Sequence, residues 1–236
     1  RDETGTHVSH APIRRLSMQD VEPAGSAGTL ADDEIHLWLW QSGEPVPPRR
    51  VSALARERLE ALLRRYSQTA ELPRIERGEH GKPHVRAEGF PHFNISHAGR
   101  GMAFAFSAKQ ELGIDIEAVA RRHGPLELAA RFFTAAETEA LSALAPSRQG
   151  AAFVRLWTCK EAVLKALGHG ISFGLDRLRF GLDAESRPDS LQAIAAEAGS
   201  PAEWQLWHFD PAQDHVGTLA WRGPPRRVRL FRLGQD

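Results

Sequence analysis

With a single cysteine, Cys159, in 236 residues, the chain can form neither an internal disulfide nor a cysteine-based zinc site. An excess of either charge is also missing: Lys+Arg and Asp+Glu each total 30, which leaves no global basic field for nucleic acid or an anionic membrane. No apolar run approaches the roughly 20 residues of a membrane-spanning helix. No charged-then-apolar leader opens the chain, so a cytoplasmic protein is expected. The histidines show no HExxH spacing, and no glycine-rich phosphate loop occurs, which argues against a zinc protease and a P-loop nucleotidase.

What is present is an ordinary globular composition, 42% hydrophobic and 25% charged, long enough for one substantial core or two small lobes. Residues 1–34 hold Gly, Ser, Ala and acids without a sustained period and are expected to be a mobile tail. Ile35 to Trp40 alternates like a strand, and Val51 to Tyr66 fits a helix with Leu54, Leu59, Leu62 and Leu63 inward. Strands are expected at Phe93–Ile95, Met102–Phe106 and Gly113–Glu117, then helices at Leu126–Phe133, Ala135–Leu144 and Gln149–Leu167, the last stopped by Gly168. Further strands fit Leu178–Phe180, Trp204–Phe209, Val216–Trp221 and Val228–Phe231, giving a mixed α+β chain.

Two segments carry the chemistry. In Gly113-Ile114-Asp115-Ile116-Glu117 the alternation puts both isoleucines on one strand face and both acids on the other. In Trp157-Thr158-Cys159-Lys160-Glu161-Ala162-Val163-Leu164-Lys165 a helix projects Glu161 and Lys165 together, four residues apart. Two acids on a strand and a third on a helix could hold a hard divalent cation and leave positions for water and phosphate. Read singly, the acids are a solvated pair, and Glu161 with Lys165 is an ordinary helix pair worth about 0.3 kcal/mol. Lys160, one position before Glu161, points about 100° away, which leaves both a reach to the cleft edge with substrate contact and a place outside it open. Cys159 has no Cys–His arrangement beside it and is not a nucleophile.

Five motifs then follow one another within roughly 90 residues. They are Gly81-Lys82-Pro83, Asn94-Ile95-Ser96-His97, Gly113 to Glu117, Arg131-Phe132-Phe133 with Glu137, and Trp157 to Lys165. In this order the chain resembles the Sfp-type 4'-phosphopantetheinyl transferases. The resemblance implies two similar α+β lobes with the active site at their interface. These would be an N-terminal lobe over 35–108 and a C-terminal lobe over 109–236 that carries the metal site. It implies transfer of the phosphopantetheine arm of coenzyme A to a serine of an apo acyl or peptidyl carrier protein, releasing 3',5'-ADP. Asp115, Glu117 and Glu161 would hold Mg2+, Lys165 would neutralise a phosphate oxygen, and Glu161 would also take the serine proton. Ser96 and His97 would meet phosphates of coenzyme A, Lys82 its adenosine, and Arg50 stands nearest the family's basic position for the 3'-phosphate. A monomer serving fatty acid, polyketide or peptide biosynthesis is implied.

The N-terminal lobe looks shortened, because only Gln41 to Pro48 separates Trp40 from Arg49 where relatives carry a basic helical segment. That shortening would weaken coenzyme A binding or leave a sheet edge open to self-association. It also supplies the alternative reading of a non-catalytic coenzyme A or carrier-protein binding module. An unrelated metal-dependent phosphohydrolase is the third reading. The basic run Arg226 to Arg232 is read as the solvated face of an edge strand.

Overall fold

The computed structural model describes residues 10–67, 71–119 and 124–234. Two β-sheets are stacked face to face, each covered on its outer face by helix. The five-stranded sheet runs in the order β2 (Val21–Glu22), β13 (Arg227–Arg232), β3 (Glu34–Gln41), β7 (Gly101–Ser107), β6 (His92–Ala98). The six-stranded sheet runs β8 (Gly113–Ala118), β12 (His215–Arg222), β11 (Trp204–Ala212), β1 (Ala11–Arg15), β10 (Pro188–Ile194), β9 (Leu178–Leu182). A separate hairpin pairs β4 (Glu76–Arg77) with β5 (Pro83–His84).

The alternation in β3 explains the stacking. Ile35, Leu37 and Leu39 point between the sheets, where they meet Ala103, Ala105, Ile114, Ile116, Leu219 and Trp221. Trp38 and Trp40 point the other way, with Phe104, Phe106 and Phe231, onto α1 (Pro48–Tyr66). That helix answers with Ala55, Leu59, Leu62 and Leu63, an apolar stripe at helical spacing. The only tyrosine of the chain ends α1 and locks it to β3: Tyr66 Oη accepts from Trp38 Nε1 at 2.7 Å and lies 2.7 Å from His36 Nδ1. On the far side α4 (Pro146–Leu167) lies against β8 and β12, flanked by α2 (Pro125–Phe132) and α3 (Ala135–Ser142). Gly168, with φ +74°, terminates α4, since a left-handed residue there is a glycine position.

Three sequence expectations are corrected. Residues 10–34 are not a tail, because β1 is an inner strand of the six-stranded sheet, paired parallel to β11 and antiparallel to β10; residues 1–9 lie outside the described residues. The division at residue 108 does not follow the sheets either, since β1 joins the sheet of the C-terminal half and β13 that of the N-terminal half. Lastly, β13 is not an edge strand: it sits between β2 and β3, and Arg229 forms an ion pair with Glu22. In each case the pairing partner is distant in sequence, and periodicity carries no information about that partner.

Candidate active site

The approach of α4 to β8 begins at Gly113. A Cβ there would stand 2.0 Å from the Ala162 carbonyl oxygen and 2.4 Å from the Ala166 nitrogen, so only glycine permits the contact. With the backbones that close, the acid face of β8 meets Glu161 and Lys165. Lys165 Nζ donates to Asp115 Oδ1 at 2.7 Å and to the Ile114 carbonyl at 3.1 Å.

The β6 edge completes this crossing. Asn94 Oδ1 accepts from the Ile114 amide at 2.8 Å, and Ser96 Oγ accepts from the Ile116 amide at 3.1 Å. Ser96 Oγ also donates to Asp115 Oδ1 at 3.0 Å and accepts from Lys165 Nζ at 3.3 Å, which fills its hydrogen-bonding capacity. Two side chains spaced i, i+2 thereby bond to β8 where β6 has no backbone ladder with it. The five-stranded sheet's other edge is the two-residue β2, too short to template pairing.

Electrostatically the centre holds more negative charge than Lys165 offsets. Glu161 is half-buried, and its carboxyl is raised above the usual carboxylate range, first by burial and then by Asp115 and Glu117, with Lys165 opposing. Glu161 Oε1 and Asp115 Oδ2 are both buried without a hydrogen-bond partner. Orphaned oxygens beside a raised carboxyl are a donor set of hard ligands, and it suits a hard divalent cation. Among the described residues no three His, Cys, Asp or Glu side chains already form a closed metal cluster.

These residues open onto a cavity of about 730 Å³, a volume ordinary for a small-ligand site. Asp115, Glu117, Glu161 and Lys165 form its floor, and Asn94, Ser96 and His97 one wall. Another wall brings Arg77, His80 and Lys82 from the hairpin, facing Ser52, Arg56 and Leu59 of α1. His169, just past α4, lies with its ring 5.4 Å from that of His80. An acidic floor under basic and imidazole groups suits a ligand with several negative charges that is neutralised from two sides.

Seven of the eight site residues read from the sequence line this one cavity: Lys82, Ser96, His97, Asp115, Glu117, Glu161 and Lys165. Arg50 does not; it is exposed in the first turn of α1, and Arg56 is the arginine of that helix that faces in. His97 is exposed at the cavity wall, whereas the hydroxyl of Ser96 is committed to the protein. Lys82 Nζ is likewise engaged, by Glu111 Oε2 and by the Leu112 carbonyl at 3.0 Å. Lys160 is buried away from the cavity, paired with Glu137 at 2.8 Å and donating to the Leu175 and Leu178 carbonyls. Glu137 in turn caps α3 through Thr134 and accepts from the Phe180 amide at 2.8 Å, so both motif residues are engaged within the fold and neither lines the cavity. Cys159 is fully buried, its thiol pushed up to about 12 by burial. Arg56, Arg77, His80 and His169 were not anticipated. The available signal was proximity: His80 precedes Gly81-Lys82-Pro83, and His169 follows the glycine that stops α4.

The profile of the 4'-phosphopantetheinyl transferase superfamily matches residues 111–220. A 4'-phosphopantetheinyl transferase of Bacillus subtilis is 42% identical over 98 residues, 42% of each chain. The 4'-phosphopantetheinyl transferase AcpT of Salmonella typhi is 38% identical over 143 residues, 61% of this chain and 69% of the relative. The 4'-phosphopantetheinyl transferase Sfp of Bacillus subtilis strain 168 is 35% identical over 133 residues, 56% and 57%. The chain spans about half the length of several of the relatives it matches, from 42% to 57% for four of the first five.

Proposed function

Since the chain belongs to the 4'-phosphopantetheinyl transferase superfamily, we propose that its cavity binds coenzyme A and transfers the phosphopantetheine arm to a serine of an apo carrier protein. One observation carries the reading: Asp115, Glu161 and Lys165 converge on the floor of a cavity whose upper walls are basic. A floor that keeps Asp115, Glu117, Glu161 and Lys165 together also favours this over a module that only binds.

The reaction is attack of a serine hydroxyl on the β-phosphate of the pyrophosphate bridge. The P–O bond to the nucleotide breaks, and 3',5'-ADP leaves. A divalent cation, held by Asp115, Glu117 and Glu161, would supply charge neutralisation on the pyrophosphate oxygens. The chain's own groups do the rest. Lys165, its three protons engaged by Asp115, the Ile114 carbonyl and Ser96, would neutralise a phosphate oxygen through its charge, or by exchanging one of these bonds for it. Glu161, on the cavity floor beside Asp115 and Lys165, is the group we assign to accept the serine proton, directly or through a water. His97, Arg56, Arg77 and His169 surround the outer part of the cavity and suit the remaining phosphates, while Arg50 is left without a direct part.

We read the two sheets with their helices as two α+β lobes of similar build, with the site between them. Support comes from the cavity itself, which takes residues from α1 and β6 on one side and from β8 and α4 on the other. No helix among the described residues is long and apolar enough to cross a membrane. A monomer acting in the cytoplasm, where coenzyme A and carrier proteins meet, is part of the same proposal.

The test is intact-mass measurement of a panel of apo carrier proteins after incubation with the chain, coenzyme A and Mg2+. One added phosphopantetheine, lost with a chelator and with Asp115→Ala, supports the reading. Coenzyme A binding without a mass gain on any carrier would overturn it in favour of the binding module.

A further inference from the structure

We propose that Glu111 is a positioning residue for the cavity, holding Lys82 and the turn around it in the arrangement that receives coenzyme A; this rests on the reading of the cavity given above. Glu111 does not line the cavity. It reaches Lys82 from behind, from the segment that leads into β8, and Oε2 takes the Lys82 ammonium. The neighbouring Leu112 carbonyl takes a second proton of the same ammonium at 3.0 Å.

What Lys82 carries with it is the reason this matters. The hairpin of β4 and β5 supplies Arg77, His80, Gly81 and Lys82 to the cavity, yet it pairs with neither large sheet. Its internal bonds are local: the Gly78 amide to the Lys82 carbonyl at 2.9 Å, and Arg77 to the Gly81 carbonyl at 3.0 Å. Gly81 sits at φ +81°, a conformation that favours glycine. Ile75 and Val85 anchor the two ends in the core under α1. Between those anchors, the Lys82 bonds to Glu111 and Leu112 tie the tip of the turn to the β8 side, the side that carries Asp115.

Glu111 is itself fixed. Its Oε1 lies 2.9 Å from His92 Nδ1 on β6, so one carboxylate divides its oxygens between the hairpin and β6. Those two hydrogen bonds, that from His92 first, hold its carboxyl down to about 2, so it stays ionised throughout the working range. The Lys82 side chain is 14% exposed and that of Glu111 is 55%, so the ammonium is sheltered and its anchor is solvent-facing. A change at Glu111 therefore leaves the core intact and acts on the cavity through Lys82 and, by way of His92, through the start of β6.

The experiment compares the full chain with Glu111→Ala and Glu111→Gln. Three quantities are read: coenzyme A affinity by calorimetry, KM and kcat for coenzyme A with a saturating apo carrier, and amide hydrogen exchange over residues 76–84. Glu111→Ala is expected to weaken affinity and raise KM about five- to tenfold, with kcat within about twofold, as for loss of one partly exposed charged hydrogen bond. Exchange at 76–84 should quicken without coenzyme A present. Glu111→Gln keeps an acceptor for Lys82 and should recover most of both effects. Unchanged affinity and unchanged exchange in Glu111→Ala would overturn the proposal, as would an equal loss in kcat. If the unaltered chain binds no coenzyme A, the reading of the cavity fails instead, and exchange at 76–84 still decides whether Glu111 holds the turn.

Discussion

Lys165 and Asp115 meet at 2.7 Å where α4 crosses β8, and each is held by a further contact with β6 through Ser96. The pair joins the helix to the strand at the floor of the cavity, so its geometry depends on three elements at once. Removing the ammonium should therefore be felt in chemistry before stability. Lys165→Met is expected to lower kcat about 10²- to 10³-fold while the protein stays folded, as for loss of one preorganised electrostatic group. Carrier-modification kinetics beside circular dichroism would check this; near-normal kcat would remove Lys165 from the reaction.

Gly113 tests the packing that makes the crossing possible. Gly113→Ala puts a methyl group into the backbone of α4, at 2.0 Å from the Ala162 carbonyl oxygen. The expected destabilisation is about 3 kcal/mol or more, at or beyond the usual range for overpacking. Activity should fall with it, because α4 must retreat from Asp115. Urea titration measures the first and turnover per folded molecule the second.

The buried pair Lys160 and Glu137 should behave in the opposite way. Lys160→Met leaves Glu137 charged in a site where both side chains are almost wholly buried, with an expected loss of about 3–5 kcal/mol. Burial already pulls the Lys160 ammonium down, with Glu137 opposing, so a neutral side chain removes a strained charge while stranding its partner. Turnover per folded molecule should change little, since neither group lines the cavity. A variant that folded normally but lost turnover would contradict this division of labour.

His208 should make the fold sensitive to acid. Its ring is buried in the six-stranded sheet, with Nδ1 3.2 Å from Thr218 Oγ1 and Nε2 without a partner. Burial, which outweighs the opposing Asp210, lowers the imidazole from 6.5 to about 4. The unfolded chain therefore binds the proton first. Stability is full above pH 6.5 and is lost as pH falls from 6.5 toward 4. Between about pH 7.5 and about pH 5 this one group should remove roughly 2 kcal/mol. Denaturant midpoints at those two pH values would show it, and His208→Leu should flatten that part of the dependence. An equal slope in the variant would assign the acid sensitivity elsewhere.

Much of the site was legible because its signals are local. The alternation of Ile114 and Ile116 with Asp115 and Glu117 separates core from cavity without reference to any other strand. The four-residue spacing of Glu161 and Lys165 brings both to the same floor. Arg50 lies off the cavity for the same reason. Counting along the chain cannot say which face of a helix turns inward, and α1 turns Arg56 to the cavity. Ser96 and Lys82 line the cavity, but the Ser96 hydroxyl is filled by the protein and Lys82 gives two of its three ammonium protons to Glu111 and Leu112, a matter of distant partners.

The mixed α+β class, the inward stripe of α1, the acid face of β8 and the residue types on the cavity floor are legible in the sequence alone. Each of these follows from spacings of two to four residues, over which backbone geometry alone sets direction. The tertiary structure decided the rest. It put β1 among the C-terminal strands and β13 among the N-terminal ones, turned Lys160 and Glu137 into a buried support, and set Glu111 behind Lys82. Those relationships join residues from about 20 to just over 200 positions apart. Only burial, close packing and the need to satisfy polar groups away from water choose among the partners that such distances allow.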